Sequence, residues 1–224
     1  KKMKKLLLTL VFSVFYVSSA SAEMGLNVGV SGQAGIFTAS ATEFTGSTAK
    51  GNGSEHGEAA WGSVFVEGTI NDKFLIGVDY VPTALETETA ETAKSNLGAG
   101  GAKNTTQTTT TNKIQVDFED LTTVYVGFMV NENVYIKGGA VHVEFITNED
   151  LGTGASYGND SLDGEMFGVG YHNTLDNGAF IRFEGTYMSF NAKTMSATGT
   201  DADNKIDLSA LDGITGKVSF GKSF

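Results

Sequence analysis

The strongest constraint on the fold is an alternation of apolar and polar residues that runs to the end of the chain. In Asp212–Phe224 the apolar side chains of Ile214, Val218, Phe220 and Phe224 occupy even positions, while threonine, lysine and serine occupy odd positions. A period of two predicts a β-strand with one apolar and one polar face. Earlier segments repeat the pattern, so the sequence predicts an all-β protein whose strands separate two different environments.

Turn signals and polar stretches delimit eight predicted strands. They are Gly25–Phe37, Ala60–Ile70, Phe74–Val81, Lys113–Val130, Val134–Thr147, Met166–Asn173, Ala179–Phe190 and a last strand from Lys205 to the terminus. Short turns follow the second, fourth and sixth strands, and long polar connections follow the others. Because successive antiparallel strands reverse direction, the short turns must share one end of the sheet and the long connections the other.

The four long connections are predicted to be surface loops because they are rich in Gly, Ser, Thr and acidic residues. They are Thr38–Glu58, Thr83–Asn112, Asn148–Gly164 and Asn191–Asn204. The second has low sequence complexity and includes the run Thr108–Thr111. We expect it to be mobile, with strand extensions at its ends.

The start of the chain has the three parts of a secretory signal peptide. Four lysines form a basic beginning, Leu6–Val17 is an apolar run too short to span a bilayer, and Ala20–Ala22 fits a small-residue cleavage site. We therefore expect residues 1–22 to be a signal peptide and residues 23–224 to be the mature domain.

Charge and cysteine content restrict the partners and the means of stabilisation. The chain has 15 basic and 26 acidic residues and no cysteine. Without the four leader lysines, 11 basic residues are left and the net charge is about −15. Such a charge disfavours nucleic acid as a partner. Without disulfides, stability must come from sheet closure and packing.

These features resemble the small outer-membrane β-barrels of the OmpX, OmpA-barrel and opacity-protein type. The resemblance covers residues 23–224 and rests on the strand-turn pattern, on Phe74–Tyr80 and Gly185–Tyr187, and on the ending Val218–Phe224. It implies an eight-stranded antiparallel transmembrane β-barrel, an up-and-down meander with four long external loops. Phe220 and Phe224 would then form the insertion signal that the barrel-assembly machinery recognises.

The same resemblance implies a monomer in the bacterial outer membrane, in contact with lipid and lipopolysaccharide. We expect a structural and surface-display role, in which the loops offer an adhesion or recognition surface to an extracellular ligand or a phage. A small passive channel for modest solutes is one alternative. A periplasmic, lipocalin-like ligand-binding barrel, whose apolar face would line a cavity, is another.

The polar face carries charges that a barrel would enclose. The residues predicted to point inward are Glu67, Asp79, Lys137, Arg182, Glu184 and Lys217. They could form a charged gate or ion path. We favour a structural network, because an eight-stranded interior is just wide enough for its own side chains and buried charges must pair. Arg182, the only arginine in the sequence, is expected to grip Glu67 or Glu184 with two hydrogen bonds.

The apolar register changes within the fifth predicted strand. Beyond Gly138–Gly139 the apolar residues move to odd positions, at Val141, Val143 and Phe145. A β-bulge at the glycine pair would return these residues to the lipid face and turn His142 and Glu144 inward. We therefore predict a bulge at Gly138–Gly139.

The same parity assigns other residues to the lipid face. In the fourth strand these are Ile114, Val116, Phe118, Val124, Val126, Phe128 and Val130. The aromatic candidates for interfacial girdles are Trp61, Phe74, Tyr80, Phe128, Phe145, Tyr187 and Phe224. Trp61 has interior parity and fits this assignment least well.

We expect no enzyme, no cofactor and no dedicated metal site. His142 and Glu144 share a strand face, but no distinctive serine partner accompanies them. The G-x-x-x-x-G-K-S pattern at Gly216–Ser223 lacks the following helix that a phosphate loop needs. Asp201–Asp212 begins like a calcium loop, but Ile206 stands where that loop requires glycine. A weak divalent-cation bridge from the acidic loops to lipopolysaccharide is the alternative.

Overall fold

The described part of the chain consists of strands and turns. The structure is a computed structural model that describes residues 23–96, 108–150, 155–199 and 202–224. The predicted signal peptide, residues 1–22, lies outside these ranges, as do residues 97–107 of the loop that we expect to be mobile. No helix in the described ranges is long and apolar enough to cross a membrane. The strands are β1 (Met24–Thr45), β2 (Thr48–Ile70), β3 (Phe74–Tyr80), β4 (Leu85–Glu86), β5 (Ala90–Asn96), β6 (Thr108–Met129), β7 (Val134–Asp150), β8 (Ala155–Ser156), β9 (Asp160–Thr174), β10 (Ala179–Phe190), β11 (Lys193–Ser196), β12 (Thr198–Gly199) and β13 (Asn204–Ser223).

Eight long strands form a closed antiparallel ring. Their order is β1, β2, β3, β6, β7, β9, β10 and β13, and β13 pairs back onto β1. The closing register runs from Asn27 opposite Ser223 to Thr45 opposite Asn204. The predicted all-β, eight-stranded, up-and-down barrel is therefore confirmed.

The outer surface of the barrel is apolar around the ring. Exposed apolar side chains occur on all eight barrel strands and include Val30, Val64, Phe74, Val126, Ile136, Phe167, Phe183 and Phe220. Each alternates along its strand with buried residues, as Phe183 does with Arg182 and Glu184. An outward apolar band of this kind is the lipid-facing surface of a transmembrane barrel.

The short connections and both ends of the described chain meet at one rim. Asn71 N–H donates to the Glu23 carbonyl at 2.8 Å, and Leu26 N–H donates to the Phe224 carbonyl at 3.0 Å. Asn71 and Asp72 have positive φ values of 51° and 53°, which suits the tight β2–β3 turn. We call this end the turn rim; its connections are 71–73, 130–133 and 175–178.

At the opposite end the strands continue well beyond the thickness of a bilayer. β1 has 22 residues and β2 has 23, whereas a transmembrane strand needs about 9–11 residues. The predicted loop Thr38–Glu58 is instead a continuation of the β1–β2 hairpin, which turns at Gly46 with a φ of 59°. We call these continuations, with β4, β5, β8, β11 and β12, the extension.

Two more predicted loops are partly strand. β7 and β9 extend into Asn148–Gly164, and β11 and the start of β13 lie within or beside Asn191–Asn204. Lys193 of β11 pairs with Leu208 of β13, and Ser196 pairs with Lys205. The extension is thus a set of sheets rather than a set of irregular loops.

The bulge predicted at Gly138–Gly139 is absent. Gly139 stays in register with Tyr125 on β6 and with Met166 on β9. A Cβ atom added to Gly139 would lie 2.1 Å from the Val124 carbonyl oxygen. This glycine is therefore needed for the close approach of β6 and β7, and the register of β7 is unbroken.

The odd-numbered apolar residues of β7 consequently face the interior, which corrects the prediction. Val141, Val143 and Phe145 are only 2, 3 and 5 % exposed. His142 and Glu144, predicted to point inward, point outward, and His142 Nδ1 lies 2.6 Å from Asp163 Oδ1. The apolar set changes face because the interior itself becomes apolar at this height, without any change of register.

A bulge does occur, in β6 at Asp120–Leu121. Glu119 lies opposite Glu144 and Thr122 lies opposite His142, so β6 has one residue more than β7 between these pairs. Asp120, the first residue of the bulge, has a φ of 53°. This value lies in the left-handed region, which aspartate tolerates better than most residues.

This bulge exchanges the two faces of β6. Val124 and Val126, on its turn-rim side, are exposed on the outer surface. Val116 and Phe118 have the same parity but lie beyond the bulge, and they pack against buried apolar residues of the interior. The prediction that Val116 and Phe118 face lipid is therefore wrong.

Candidate functional site

The barrel interior contains two layers of different chemistry. Nearer the turn rim lie charged side chains that are at most 8 % exposed: Glu67, Asp79, Lys137, Arg182, Glu184 and Lys217. We call them the charge layer. Toward the extension lies the apolar layer: Trp61, Val81, Leu121, Val141, Val143, Phe145, Leu162, Met166, Met188 and Phe190. Tyr125 joins the two layers, because its ring packs with the apolar layer and its hydroxyl contacts Glu67.

Arg182 and Glu67 form a bidentate ion pair in the charge layer. Arg182 Nη1 donates to Glu67 Oε2 at 2.9 Å, and Nη2 donates to Oε1 at 2.5 Å. Asn27 Nδ2 and the Tyr125 hydroxyl also donate to this carboxylate, each at 2.9 Å. Four donors thus compensate the desolvation of the Glu67 carboxylate.

The remaining face of the Arg182 guanidinium is also occupied. Its Nε donates to His172 Nδ1 at 2.6 Å. Since arginine can only donate, that imidazole nitrogen is the acceptor, and Nε2 carries the proton toward Thr174 Oγ1 at 2.6 Å. The guanidinium carbon lies over three aromatic rings, those of Phe65, Phe180 and Tyr135, at 5.4, 4.9 and 5.5 Å from the ring centroids.

The other four charges form a chain of alternating sign. Lys217 donates to Asp79 and lies 3.6 Å from Glu184 Oε2, and Lys137 pairs with Glu184. With the pair of Arg182 and Glu67, the layer contains three acidic and three basic groups. The charge layer is thus neutral as a whole, which is the condition under which buried charges are tolerated.

Two tyrosine rings fill the interior opposite glycines. A Cβ atom on Gly77 would lie 2.5 Å from Tyr125 Cζ, and one on Gly170 would lie 2.3 Å from Tyr135 Cζ. Neither tyrosine is among the residues predicted for the interior, and Asn27 and His172 are not among the predicted partners of the charges. Their interior parity was a usable signal, because each alternates with outward apolar residues on its strand.

The apolar layer contains two residues that the sequence suggested for an interfacial girdle. Trp61 and Phe145 are 7 and 5 % exposed and lie inside the barrel. The Trp61 ring packs against Phe37, with centroids 6.0 Å apart. Further residues of the extension pack onto the layer, namely Ala59, Leu85, Val116, Phe118, Met195, Leu208 and Leu211.

A small cavity lies where the two layers meet. Its volume is about 10 Å³, which is room for about one water molecule. Side chains from both layers surround it: Gln33, Asp79, Val81, Leu121, Thr123, Lys137, Met166, Thr186, Met188 and Lys217. The cavity is too small for an organic solute.

The acidic residues of the extension take part in local contacts. Asp160 accepts a hydrogen bond from Lys193 Nζ at 2.8 Å, which lowers the pKa of Asp160. Glu149 accepts from the Tyr157 backbone N–H at 2.6 Å. Within the described ranges, no group of three or more His, Cys, Asp or Glu residues could hold a metal ion.

Comparison with known proteins identifies the fold. No family model and no curated protein matches the sequence. Outer membrane protein OprG from Pseudomonas aeruginosa has a TM-score of 0.60 at 14% identity, covering 91% of this chain and 97% of OprG. Outer membrane protease OmpT from Escherichia coli (TM-score 0.41, 10% identity, 92% and 99% covered) and Ail, the attachment invasion locus protein of Yersinia pestis (0.38, 12%, 88% and 99%), are more distant. On the likeness to OprG and the closed ring of eight strands, the chain has the fold of the small bacterial outer-membrane β-barrels.

Proposed function

We propose that this chain is a monomeric bacterial outer-membrane barrel with a filled interior, which anchors its extension at the cell surface as an adhesion or recognition surface. The observation that carries the proposal is the stacking of a neutral charge layer beneath an apolar layer. Paired charges and packed rings occupy the space through which a solute would have to pass.

The outer surface supports the membrane part of the proposal. Its apolar band suits lipid, and in a bilayer the extension would reach the height of lipopolysaccharide and beyond. Phe220 and Phe224 are 58 and 73 % exposed near the turn rim, an accessible position for an insertion signal that the barrel-assembly machinery would recognise. Residues 1–22 are proposed to be the signal peptide of the exported precursor.

A small passive channel is the second candidate. The observation that favours it is the partly polar lining that Gln33, Thr123 and Thr186 give the cavity between the layers. The cavity would have to widen before a solute could pass. A soluble, lipocalin-like barrel is disfavoured, since it would need its charges outside and its apolar band inside. That the chain is not an enzyme, binds no cofactor and avoids nucleic acid stays a prediction.

Single cysteines test the proposed orientation, because the sequence contains none of its own. Ser47→Cys lies at the tip of the β1–β2 hairpin, and Glu132→Cys lies in the β6–β7 turn. A membrane-impermeant maleimide should label Ser47→Cys in intact cells and Glu132→Cys only after the outer membrane is permeabilised. Labelling in the reverse order, or recovery of the protein in the soluble periplasmic fraction, would refute the proposal.

A further inference from the structure

β2 has an unpaired edge over much of its length. It pairs with β1 from Thr48 to Ile70, but with β3 only from Val64 to Ile70. Among the described residues, none forms a strand pair with the other edge of 48–63. A row of backbone N–H and C=O groups on this edge is therefore available to another strand.

The chain that follows β3 turns away from this edge and follows β6. β3 ends at Tyr80, opposite Val64. Val81 N–H then donates to the Leu121 carbonyl at 2.9 Å, and β4 and β5 pair with β6. Pro82, which has no N–H, follows directly. On the extension side of Val64 and Tyr80, the described residues therefore form no strand pairs between 48–63 of β2 and 81–96. We call this unpaired gap the seam.

The composition of the β2 edge makes it accessible. Residues 48–63 contain glycine at 51, 53, 57 and 62 and no proline, and they are exposed from Thr48 to Glu58. The pairing of β2 with β1 has one register shift, at Lys50, and is continuous from Gly51 to Ile70, so most of this edge lacks the bulges that commonly protect edge strands. This edge does have charged side chains beside it, and their sign determines which kind of strand can bind.

Acidic residues outnumber basic residues on both sides of the seam. Residues 48–63 of β2 contain Glu55, Glu58 and Lys50, and residues 81–96 contain Glu86, Glu88, Glu91 and Lys94. Glu55, Glu58, Glu86 and Glu88 are exposed. Glu91 and Lys113 form a pair at 2.7 Å and cancel each other. An acidic strand would be repelled from this seam, whereas a basic strand would be attracted to it.

We propose that the seam binds an extended cationic peptide, which adds as a strand to the free edge of β2. Its backbone would pair with 48–63, and its basic side chains would lie near Glu55, Glu58, Glu86 and Glu88. This inference deepens the proposed function, since it names a partner class for the displayed extension. It rests on that function for the partner to reach the seam from outside the cell.

A synthetic peptide and Trp61 provide the test. The probe is a twelve-residue peptide of alternating lysine and threonine with a dansyl group at one end. Trp61 is the only tryptophan in the sequence and lies at the base of the seam, so energy transfer to dansyl reports binding to the full chain in detergent. A second peptide, N-methylated at alternate residues, keeps the charge but loses backbone donors. We expect it to bind at least about tenfold more weakly.

Matched charge variants complete the experiment. Glu55→Gln combined with Glu58→Gln should weaken binding several-fold, whereas Glu132→Gln, an exposed acidic residue at the turn rim, should leave binding unchanged. Equal binding of the N-methylated peptide, an equal effect of Glu132→Gln, or no transfer with any peptide would overturn the inference. Because the assay uses purified protein in detergent, its failure is separate from a failure of the cysteine labelling, which tests location.

Discussion

At the scale of single residues, the interior depends most on the Glu67 carboxylate. Its side chain is inaccessible to solvent, and its four donors come from Arg182, Asn27 and Tyr125. Sequence parity predicted that Glu67 and Arg182 point inward. It could not choose between Glu67 and Glu184 as the partner of Arg182, because that choice depends on how far each strand is shifted along the barrel axis.

Arg182→Met should destabilise the barrel by about 3–5 kcal/mol, because the Glu67 carboxylate would be left buried without its cation. Glu67→Leu combined with Arg182→Met should cost less than Arg182→Met alone, since no charge is then unpaired. Urea unfolding in lipid vesicles, followed by Trp61 fluorescence, measures both.

Lys73→Met is the matched control for that experiment. Lys73 is an exposed cation in the β2–β3 turn, and its replacement should change the free energy of unfolding by less than about 0.5 kcal/mol. The interior network would not be a coupled unit if Arg182→Met were as mild as this control. The same would follow if the free-energy losses of Glu67→Leu and Arg182→Met, each measured alone, simply added in the double variant.

At the scale of strands, alternation defines two faces but does not say which face meets lipid. The prediction places Val141, Val143 and Phe145 on the lipid face by means of a bulge, because Val134 and Ile136 at the start of β7 are apolar at even positions. That assignment assumes a polar interior throughout. It fails where the interior becomes apolar, and nothing local in β7 marks that height.

The Asp120 bulge was equally hidden from the sequence. Val116, Phe118 and Val124 share one parity, so the segment resembles a single regular strand. The extension was missed for a different reason: its Gly, Ser and Thr content is typical of loops, and strands with water on their outer face need no apolar band. The strands in the membrane part were predictable because lipid demands that band.

Asp120→Val should destabilise the barrel by about 1–3 kcal/mol, because a β-branched residue is strained at positive φ. Tyr80 donates to Asp120 Oδ1 at 2.5 Å, so Tyr80→Phe is measured in parallel to account for that bond. Glu119→Val makes the same kind of change beside the bulge, and we expect it to be clearly milder. Equal losses for the two valine variants in urea unfolding would contradict the role of the bulge.

At the scale of the whole molecule, the barrel joins three regions with different solvents. An apolar outer band faces lipid, a neutral charge layer and an apolar layer fill the interior, and the extension rises from the end opposite the turn rim. The number of barrel strands followed from turns and alternation, and the closure of the ring followed from the resemblance to outer-membrane barrels. The filling did not, because it depends on which side chains from distant strands meet at the same height.

Planar-bilayer conductance of the purified chain tests the filled interior most directly. Orientation is verified by maleimide labelling of the Ser47→Cys variant, purified and reconstituted in the same way. With paired charges beneath an apolar layer and a cavity of about 10 Å³ between them, we predict no stable, reproducible open steps. Stable steps that disappear when the interior charges are neutralised, as in Lys137→Met combined with Glu184→Leu, would contradict the account and establish a channel.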